Sequence, residues 1–184
     1  MNLIRVLFLI IQTLICHSLG ANLTVDICVY GGTSAGVMAA YKAKMLNKTV
    51  VLIEPGRHLG GITSGGLGFT DFGDKSAIVG LAKDFYLRIG HKYNKKSETL
   101  IFEPHVAENV FNSYITEAKV NVLFEHRIIW TKKVNQRLES IEIENSTHPQ
   151  KDTNIVINAK MFIDCSYEGD LMARANISYT FGIS

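Results

Sequence analysis

The 184-residue chain lacks a strong excess of charge, and it also lacks internal repeats and low-complexity tracts. Its formal net charge is +2 at pH 7, so no strong electrostatic field favours nucleic acid or an acidic surface as partner. Hydrophobic residues make up 47% of the chain, a content that excludes long disordered stretches. The length is sufficient for one domain with a sizeable core.

Long apolar runs are also scarce, and the clearest one lies near the N terminus. The segment MNLIR carries one positive charge, VLFLIIQTLIC is largely apolar, and HSLGA supplies small residues. This order is typical of a secretory signal peptide over residues 1–20, cleaved before Ala21. The run is shorter than the roughly 20 residues that span a bilayer, so we expect secretion or a secretory-pathway lumen and no stable membrane insertion. An uncleaved anchor is the alternative.

Cysteine is rare, and the mature chain would keep only Cys28 and Cys165. Both lie in apolar, strand-like segments. The simpler interpretation is two buried free thiols that pack as small hydrophobes. A disulfide between them would require Cα atoms within about 7 Å. Four Asn-x-Ser/Thr triplets favour surface loops and a glycoprotein, and they begin at Asn22, Asn47, Asn145 and Asn176.

A strand, a helix and a second strand follow the predicted signal peptide. TVDICVY (24–30) and TVVLIEP (49–55) have the composition of buried strands. AGVMAAYKAKMLN (35–47) predicts a helix whose small stripe, Ala35, Ala39, Ala43 and Leu46, would face a sheet. This order within about thirty residues predicts a βαβ unit with a right-handed crossover.

The remaining segments complete an α/β pattern. Two amphipathic helices are predicted at 77–92 and 104–118, and a third parallel strand at 120–126. Their expected buried faces are Ile78, Leu81, Ala82, Phe85 and Ile89, and then Ala107, Val110, Phe111, Tyr114 and Ala118. RIIWTKKV, LESIEIE and TNIVINA alternate with period two, which predicts an antiparallel meander, and KMFIDCS (160–166) predicts another buried strand. The fold class is therefore α/β, a Rossmann-like parallel sheet with an inserted antiparallel β-meander.

The turn after the first strand carries the first functional signal, in the segment DICVYGGTSAGV. In the G-x-G-x-x-G turn of dinucleotide-binding folds, the glycines allow the bend, the approach of the pyrophosphate and close helix packing. Gly31 and Gly36 hold the first and third positions, whereas Thr33 stands at the second. We expect the hydroxyls of Thr33 and Ser34, with the N–H groups of the helix start, to donate to the phosphates.

Glu54 supplies the second signal, because it ends the second strand 23 residues after Gly31. A carboxylate at this place can accept both ribose hydroxyls of an adenosine and would repel a 2′-phosphate. A glycine-dense segment follows at 56–74. It contains isoleucine, leucine and phenylalanine, so we interpret it as a loop lying against a ligand rather than as a flexible linker.

Four ordered motifs resemble FAD-dependent oxidoreductases with a glutathione-reductase-type nucleotide-binding domain. They are VYGGTSAGVMAA, VVLIEPGRHLGGITSGGLGFTD, FEPHVAENVF and FIDCSYEGDLMARA, and the resemblance covers about 25–184. It implies FAD as cofactor and a small-molecule substrate. Related enzymes are longer and complete their FAD site near the C terminus. The resemblance therefore implies that 21–184 form a domain truncated at its C-terminal side.

The resemblance also implies which residues hold the cofactor. The pyrophosphate would lie on Gly31, Gly32, Thr33, Ser34, Ala35 and Gly36. Glu54 and Pro55 would hold the adenosine ribose, and Ile128 or a neighbour would meet the adenine. Arg57, Gly60 and Gly61 match a second glycine pair, and Thr63, Ser64 and Gly65 would lie nearest the flavin. Asp164, Cys165 and Ser166 match a segment usually written Asp-Ala-Thr. Glu168, Gly169 and Asp170 match the acidic motif that returns to the cofactor.

The sequence nominates no catalytic residue and no metal ligand. His58, His105 and Asp71 lie near the predicted flavin side, but each is better interpreted as a loop or packing residue. Two other functions stay open. One is an inactive secreted binding module that retains the fold. The other is an NAD domain, which is less favoured because a simple NAD domain has no use for the meander and the acidic motif.

Overall fold

The computed structural model describes residues 21–150, 153–180 and 182, so the predicted signal peptide lies outside the described residues. The strands are β1 (Ala21–Tyr30), β2 (Val50–Glu54), β3 (Asn121–Phe124), β4 (His126–Val134), β5 (Arg137–Asn145) and β6 (Ile155–Asp164). The α-helices are α1 (Ser34–Met45), α2 (Gly80–Lys92), α3 (Pro104–Ala118) and α4 (Asp170–Arg174). Short 3₁₀ turns occur at Gly61–Thr63 and Lys75–Ala77. No helix in the described ranges is long and apolar enough to cross a membrane.

The six strands form one mixed sheet in the order β3-β2-β1-β6-β5-β4. The first four in that order run parallel, whereas β5 is antiparallel to both β6 and β4. The α/β class and the βαβ unit are confirmed. The end of β1 lies between β2 and β6, which brings three strand ends together beside the glycine-rich turn.

The prediction of separate strands at TNIVINA and KMFIDCS is wrong, because both belong to the single strand β6. The pairing explains the apparent break in pattern. Residues Ile155–Asn158 pair with β5, whereas the later part of β6 extends beyond the partners on β5 and keeps only its pairing with β1. One strand thus passes through two environments, and its hydrophobic pattern changes between them.

The predicted sheet-facing stripe of α1 is only partly correct: Ala43 is buried and Ala39 is half-buried against the core. Ala35 and Leu46 are exposed, and the buried residues of the helix are Gly36, Val37, Ala40, Tyr41 and Ala43. The first turn of α1 determines which side of the helix faces the sheet. An added Cβ at Gly36 would overlap the carbonyl oxygen of Gly31, so the backbone of Gly36 must face β1 and the residues about one and two turns later follow it inward.

Strand alternation divides the hydrophobic core between the two faces of the sheet. Val29 and Leu52 face a cluster that includes Phe85, Phe111 and Tyr114 from the helices. On the other face, the cluster consists of Val25, Cys28, Tyr30, Val51, Ile53, Ile128, Ile141, Ile143, Ile157, Ala159 and Leu171. The parallel strands therefore pack against helices on one face. Their other face shares one hydrophobic cluster with residues of β4, β5 and α4.

The predicted faces of α2 and α3 are largely confirmed. Phe85 and Ile89 are buried on α2, whereas Ala82 is exposed, and the helix begins at Gly80 rather than at residue 77. On α3, the buried residues are Ala107, Val110, Phe111 and Tyr114. Both cysteines of the described chain are free thiols; Cys28 is fully buried, whereas Cys165 is only half-buried.

A polar network joins α2 to α3 beside this core. The Tyr114 hydroxyl donates to Asp84 Oδ2 at 2.5 Å, and Arg88 Nε donates to the same oxygen at 2.8 Å. The Arg88 guanidinium also lies 4.0 Å from the centre of the Tyr114 ring and donates to Glu117 at 2.7 Å. Burial raises the pKa of Tyr114, so its hydroxyl remains a donor at neutral pH.

Replacing Tyr114→Phe should lower the free energy of unfolding by about 1 to 2 kcal/mol, because Asp84 loses a hydrogen-bond donor from the core. Urea denaturation followed by circular dichroism measures the change. Asn112→Ala, on the exposed side of α3, is the control and should change stability by less than about 0.5 kcal/mol. A Tyr114→Phe variant as stable as the parent would contradict a stabilising role for this network.

Candidate functional site

The glycine-rich turn connects the end of β1 to α1. Gly31 has φ +97°, a conformation that favours glycine, and its N–H donates to Ile53 O at 2.8 Å. An added Cβ at Gly31 would lie 2.7 Å from Ser166 N and 2.8 Å from the carbonyl carbon of Cys165. The first glycine is therefore required both by its backbone angle and by the close approach of the segment after β6.

The structure corrects the predicted role of Thr33. Its hydroxyl donates to Cys165 O at 2.8 Å and accepts the N–H of Gly36 at 3.3 Å, which makes Thr33 the N-cap of α1. Both contacts are internal to the protein, and Thr33 is almost fully buried. The hydroxyl is therefore used to fasten the turn to the end of β6 and is not free to donate to a phosphate.

Glu54 lies directly against the turn. Its Oε2 accepts the N–H of Gly32 at 2.7 Å, and its Oε1 accepts the N–H of Gly56 at 2.7 Å. A carboxylate offers about four acceptor positions, so each oxygen keeps one for a ligand hydroxyl. The acid thus stabilises the turn and can still accept the two hydroxyls of a ribose.

The second glycine pair also meets the turn. Gly60 N donates to Gly32 O at 2.8 Å, and Thr33 and Gly60 form an isolated parallel bridge. The next amide, Ile62 N, donates to the Tyr167 hydroxyl at 2.7 Å. Gly60 therefore connects the glycine-dense loop to the turn, and Ile62 connects it to the segment after β6, where Tyr167 lies too close to Gly61 to leave room for a Cβ.

The acidic motif is organised around Asp164. Its Oδ1 accepts the N–H and hydroxyl of Ser166 at 3.0 and 2.7 Å, and its Oδ2 accepts Met172 N at 2.9 Å. The Ser166 hydroxyl in turn accepts Asp170 N at 2.9 Å, and Gly169 precedes α4 with φ +69°. These contacts fold the chain back so that Glu168 and Asp170 share a cavity with Glu54.

That cavity has a volume of about 280 Å³ and lies where these parts meet. Eight of the predicted cofactor residues line it, namely Gly31, Thr33, Glu54, Pro55, Gly61, Ser166, Glu168 and Asp170. Three residues that the predicted set omits also line it: Tyr30, His58 and Tyr167. Their positions could have been inferred, since each is adjacent in sequence to, or within four residues of, a predicted site residue.

Other predicted residues lie outside this cavity. Ser34, Ala35 and Thr63 line a neighbouring cavity of about 350 Å³ with Phe85 and Phe111. The Ser64 hydroxyl donates to Leu59 O at 2.5 Å, and Gly65 N donates to Ile62 O at 3.1 Å, so both residues stabilise the loop itself.

Arg57 and Ile128 are also placed away from the cavity lining. Arg57 pairs with Glu125 at 2.6 Å, and its hydrogen bond lowers the pKa of Glu125. The Ile128 side chain is buried in the core, and Ile128 N donates to the Tyr30 hydroxyl at 3.3 Å. Burial raises the pKa of Tyr30, so this hydroxyl stays protonated at neutral pH. Contact between the adenine and the neighbourhood of Ile128 stays a prediction.

Comparison with known proteins assigns this arrangement to flavoproteins. A family model described as FAD dependent oxidoreductase matches residues 26–184. No curated protein sequence matches the chain. Among solved structures, the THI4 protein of Thermovibrio ammonificans is similar with a TM-score of 0.58 at 19% identity, covering 95% of this chain and 69% of that chain.

Two further structures share the fold. The myxobacterial halogenase CndH, described as a variant of FAD-dependent halogenases, has a TM-score of 0.58 at 15% identity, covering 78% of this chain and 37% of that one. A geranylgeranyl bacteriochlorophyll reductase-like protein of Thermoplasma acidophilum has a TM-score of 0.58 at 14% identity, covering 85% and 43%. The chain thus spans less than half the length of these two relatives.

Replacing Thr33→Ala should lower the free energy of unfolding by about 1 to 2 kcal/mol, because the helix loses its cap and the Cys165 carbonyl loses its donor. Thr33→Ser keeps the hydroxyl and is the matched control, with an expected change below about 0.5 kcal/mol. Urea denaturation of the ligand-free protein measures both. Equal stability of the two variants would show that the hydroxyl does not fasten the turn.

Proposed function

The chain belongs to the FAD-dependent oxidoreductase family, and from this premise we propose that residues 21–184 form the FAD-binding part of a secreted oxidoreductase acting on a small-molecule substrate. FAD is the cofactor of this family. The observation that carries the proposal is the position of Glu54, whose carboxylate lies within hydrogen-bond distance of the glycine turn. An acid in this place recognises the ribose of an adenine dinucleotide.

The residues around the cavity fit such a cofactor. The wall near Gly31 and Gly61 is backbone, which allows the phosphates to approach closely. The start of α1 borders the same wall at Thr33, so the positive end of the helix dipole favours an anion there. Glu54 would accept the ribose hydroxyls. Ser166 would line the wall from the segment after β6, with its hydroxyl still bonded to Asp164 and Asp170. The site combines an anion-binding turn with a ribose-binding acid.

The chemistry follows from the cofactor, since bound FAD would supply the acceptor for a hydride taken from the substrate. The described residues would bind and orient it. The bonds from Asp164 to Ser166 and Met172 hold the acidic motif, and the bond between Ile62 and Tyr167 holds the glycine-dense loop against the cavity. These contacts prepare the cavity before a ligand enters.

Secretion is the second part of the proposal, and the order of residues 1–20 supports it. The mature chain would begin at Ala21, the first residue of β1. Asn47 and Asn176 are exposed and have positive φ angles of 59° and 51°, so a glycan on either side chain would extend into solvent. Asn145 is half-buried, and its side-chain oxygen already accepts the N–H of Thr147 at 3.0 Å.

The purified protein should bind FAD, and Glu54→Gln should weaken that binding by about tenfold or more. A glutamine has one acceptor oxygen in place of two, so it cannot hold Gly32, Gly56 and both ribose hydroxyls together. Flavin fluorescence titration measures the dissociation constants. Glu139→Gln is the control and should bind FAD as the parent does. Glu139 is a half-buried acid of the meander that pairs with Lys132 at 2.9 Å, and it is not among the residues that line the cavity.

Failure of the folded parent protein to bind FAD would contradict the cofactor assignment for this chain and would favour an inactive module with the same fold. Unchanged binding by the Glu54→Gln variant, with FAD bound by the parent, would contradict only the role of the acid.

Expression of the full chain in eukaryotic cells should release a protein whose N terminus is Ala21. Edman sequencing identifies this residue, and treatment with an N-glycosidase should reduce the mass through loss of glycans. Asn47→Gln and Asn176→Gln should each remove one glycan. Retention of Met1 on a cell-associated protein would contradict secretion.

A further inference from the structure

The cavity wall is unusually acidic for a site that accepts a diphosphate. Glu54, Glu168 and Asp170 contribute three carboxylates to it. Among the described residues that line the cavity, His58 is the one side chain able to carry a positive charge. Because the diphosphate of FAD is itself an anion, the balance of charge around His58 decides part of the binding free energy.

The turn also offers fewer donors than its sequence predicts. The Thr33 hydroxyl is bonded to Cys165 O, and the amide of Gly36 is bonded to Thr33. Two groups that were expected to donate to phosphate are therefore already satisfied within the protein. The helix dipole remains, but a further donor at the cavity would be needed to restore the usual number of phosphate contacts.

His58 is held in place by a neighbour on α3. Its Nδ1 lies 2.8 Å from Glu108 Oε1. The Glu108 side chain is 25% exposed and the His58 side chain is 78% exposed, so the carboxylate is the more fixed of the two groups. With Nδ1 bonded to Glu108, Nε2 is the ring nitrogen left for a ligand, and in the imidazolium form both nitrogens donate.

We infer that His58, oriented by Glu108, is a cofactor-binding residue whose Nε2 donates a hydrogen bond to the diphosphate of FAD. This inference rests on the proposed function and adds a residue to its site. In the pair Glu108–His58, a carboxylate bonded to one ring nitrogen orients the imidazole. It supplies the donor that Thr33 does not.

The charged and titratable groups around His58 come from four elements. Glu108 approaches from α3, Glu54 from the end of β2, and Tyr30 from β1. Tyr167, Glu168 and Asp170 approach from the segment that follows β6. Three of these acids line the cavity beside His58, so a hydrogen bond donated from the His58 ring would offset part of their repulsion of the diphosphate.

The test uses three ligands that separate the diphosphate from the rest of the cofactor: FAD, ADP and adenosine. His58→Ala should weaken FAD and ADP by about tenfold, since one charge-assisted hydrogen bond is lost. Adenosine binding should be unchanged. His58→Arg restores a cationic donor and should recover most of the affinity. Glu108→Ala should weaken FAD and ADP by about threefold, because the ring loses its orienting partner.

His105→Ala is the matched control, because His105 is an exposed histidine in the first turn of the same helix as Glu108. It should leave all three affinities unchanged. Direct FAD fluorescence titration and competition by ADP or adenosine give the dissociation constants. Thermal denaturation of each ligand-free variant checks that the fold is intact, as expected for a side chain that is 78% exposed.

The possible outcomes distinguish the role of His58 from the proposed function itself. A His58→Ala variant that binds FAD and ADP as the parent does would overturn this inference and leave the proposed function standing. An equal loss of adenosine and ADP affinity would overturn the contact with the diphosphate. Failure of the parent to bind either FAD or ADP would overturn both the inference and the proposed function.

Discussion

The candidate site depends on one interaction, the double acceptance by Glu54 of two backbone N–H groups. Gly32 donates from the turn after β1, and Gly56 donates from the loop after β2. The carboxylate thereby joins the ends of two neighbouring parallel strands at the edge where ligands bind in such sheets. Because these bonds form within the protein, the acid is held in position before a ribose arrives, and the binding step does not have to order it.

The turn tolerates threonine in place of its second glycine because the side chain has a structural use. Thr33 caps α1 and bonds to Cys165 O, so its hydroxyl faces the end of β6. The nearly complete burial of Thr33 is possible only because Gly31 and Gly36 leave the backbone close to its neighbours. Close approach of the cofactor, the common role of the second glycine, is therefore proposed for the backbone of Gly61, which lines the same cavity.

Sequence reasoning predicted the fold class, the order of elements and the acid at the end of β2, because each is encoded locally. The periodicity of the hydrophobic residues identified the strands. The sequence separation of Gly31 and Glu54 is set by the length of one βαβ unit. The direction in which a side-chain hydroxyl points, in contrast, depends on residues that are distant in the sequence. Thr33 finds Cys165 at a separation of 132 residues, and nothing in the sequence near position 33 reports that partner. The same reason explains why the buried face of α1 was predicted only in part and why the single strand β6 was predicted incorrectly. Both depend on neighbouring elements that come together only in the folded sheet.

The acidic side chains of the site have a structural role and also affect the binding of an anionic ligand. Asp164 accepts three protein donors, and Glu54 accepts two. Glu54 also lines the cavity with Glu168 and Asp170, so the site places three acids where a dinucleotide brings its own negative charge. A fold built in this way must offset the repulsion with donors that face the ligand. The backbone of the turn supplies some of them, and a histidine held by a carboxylate on α3 stands where another is required.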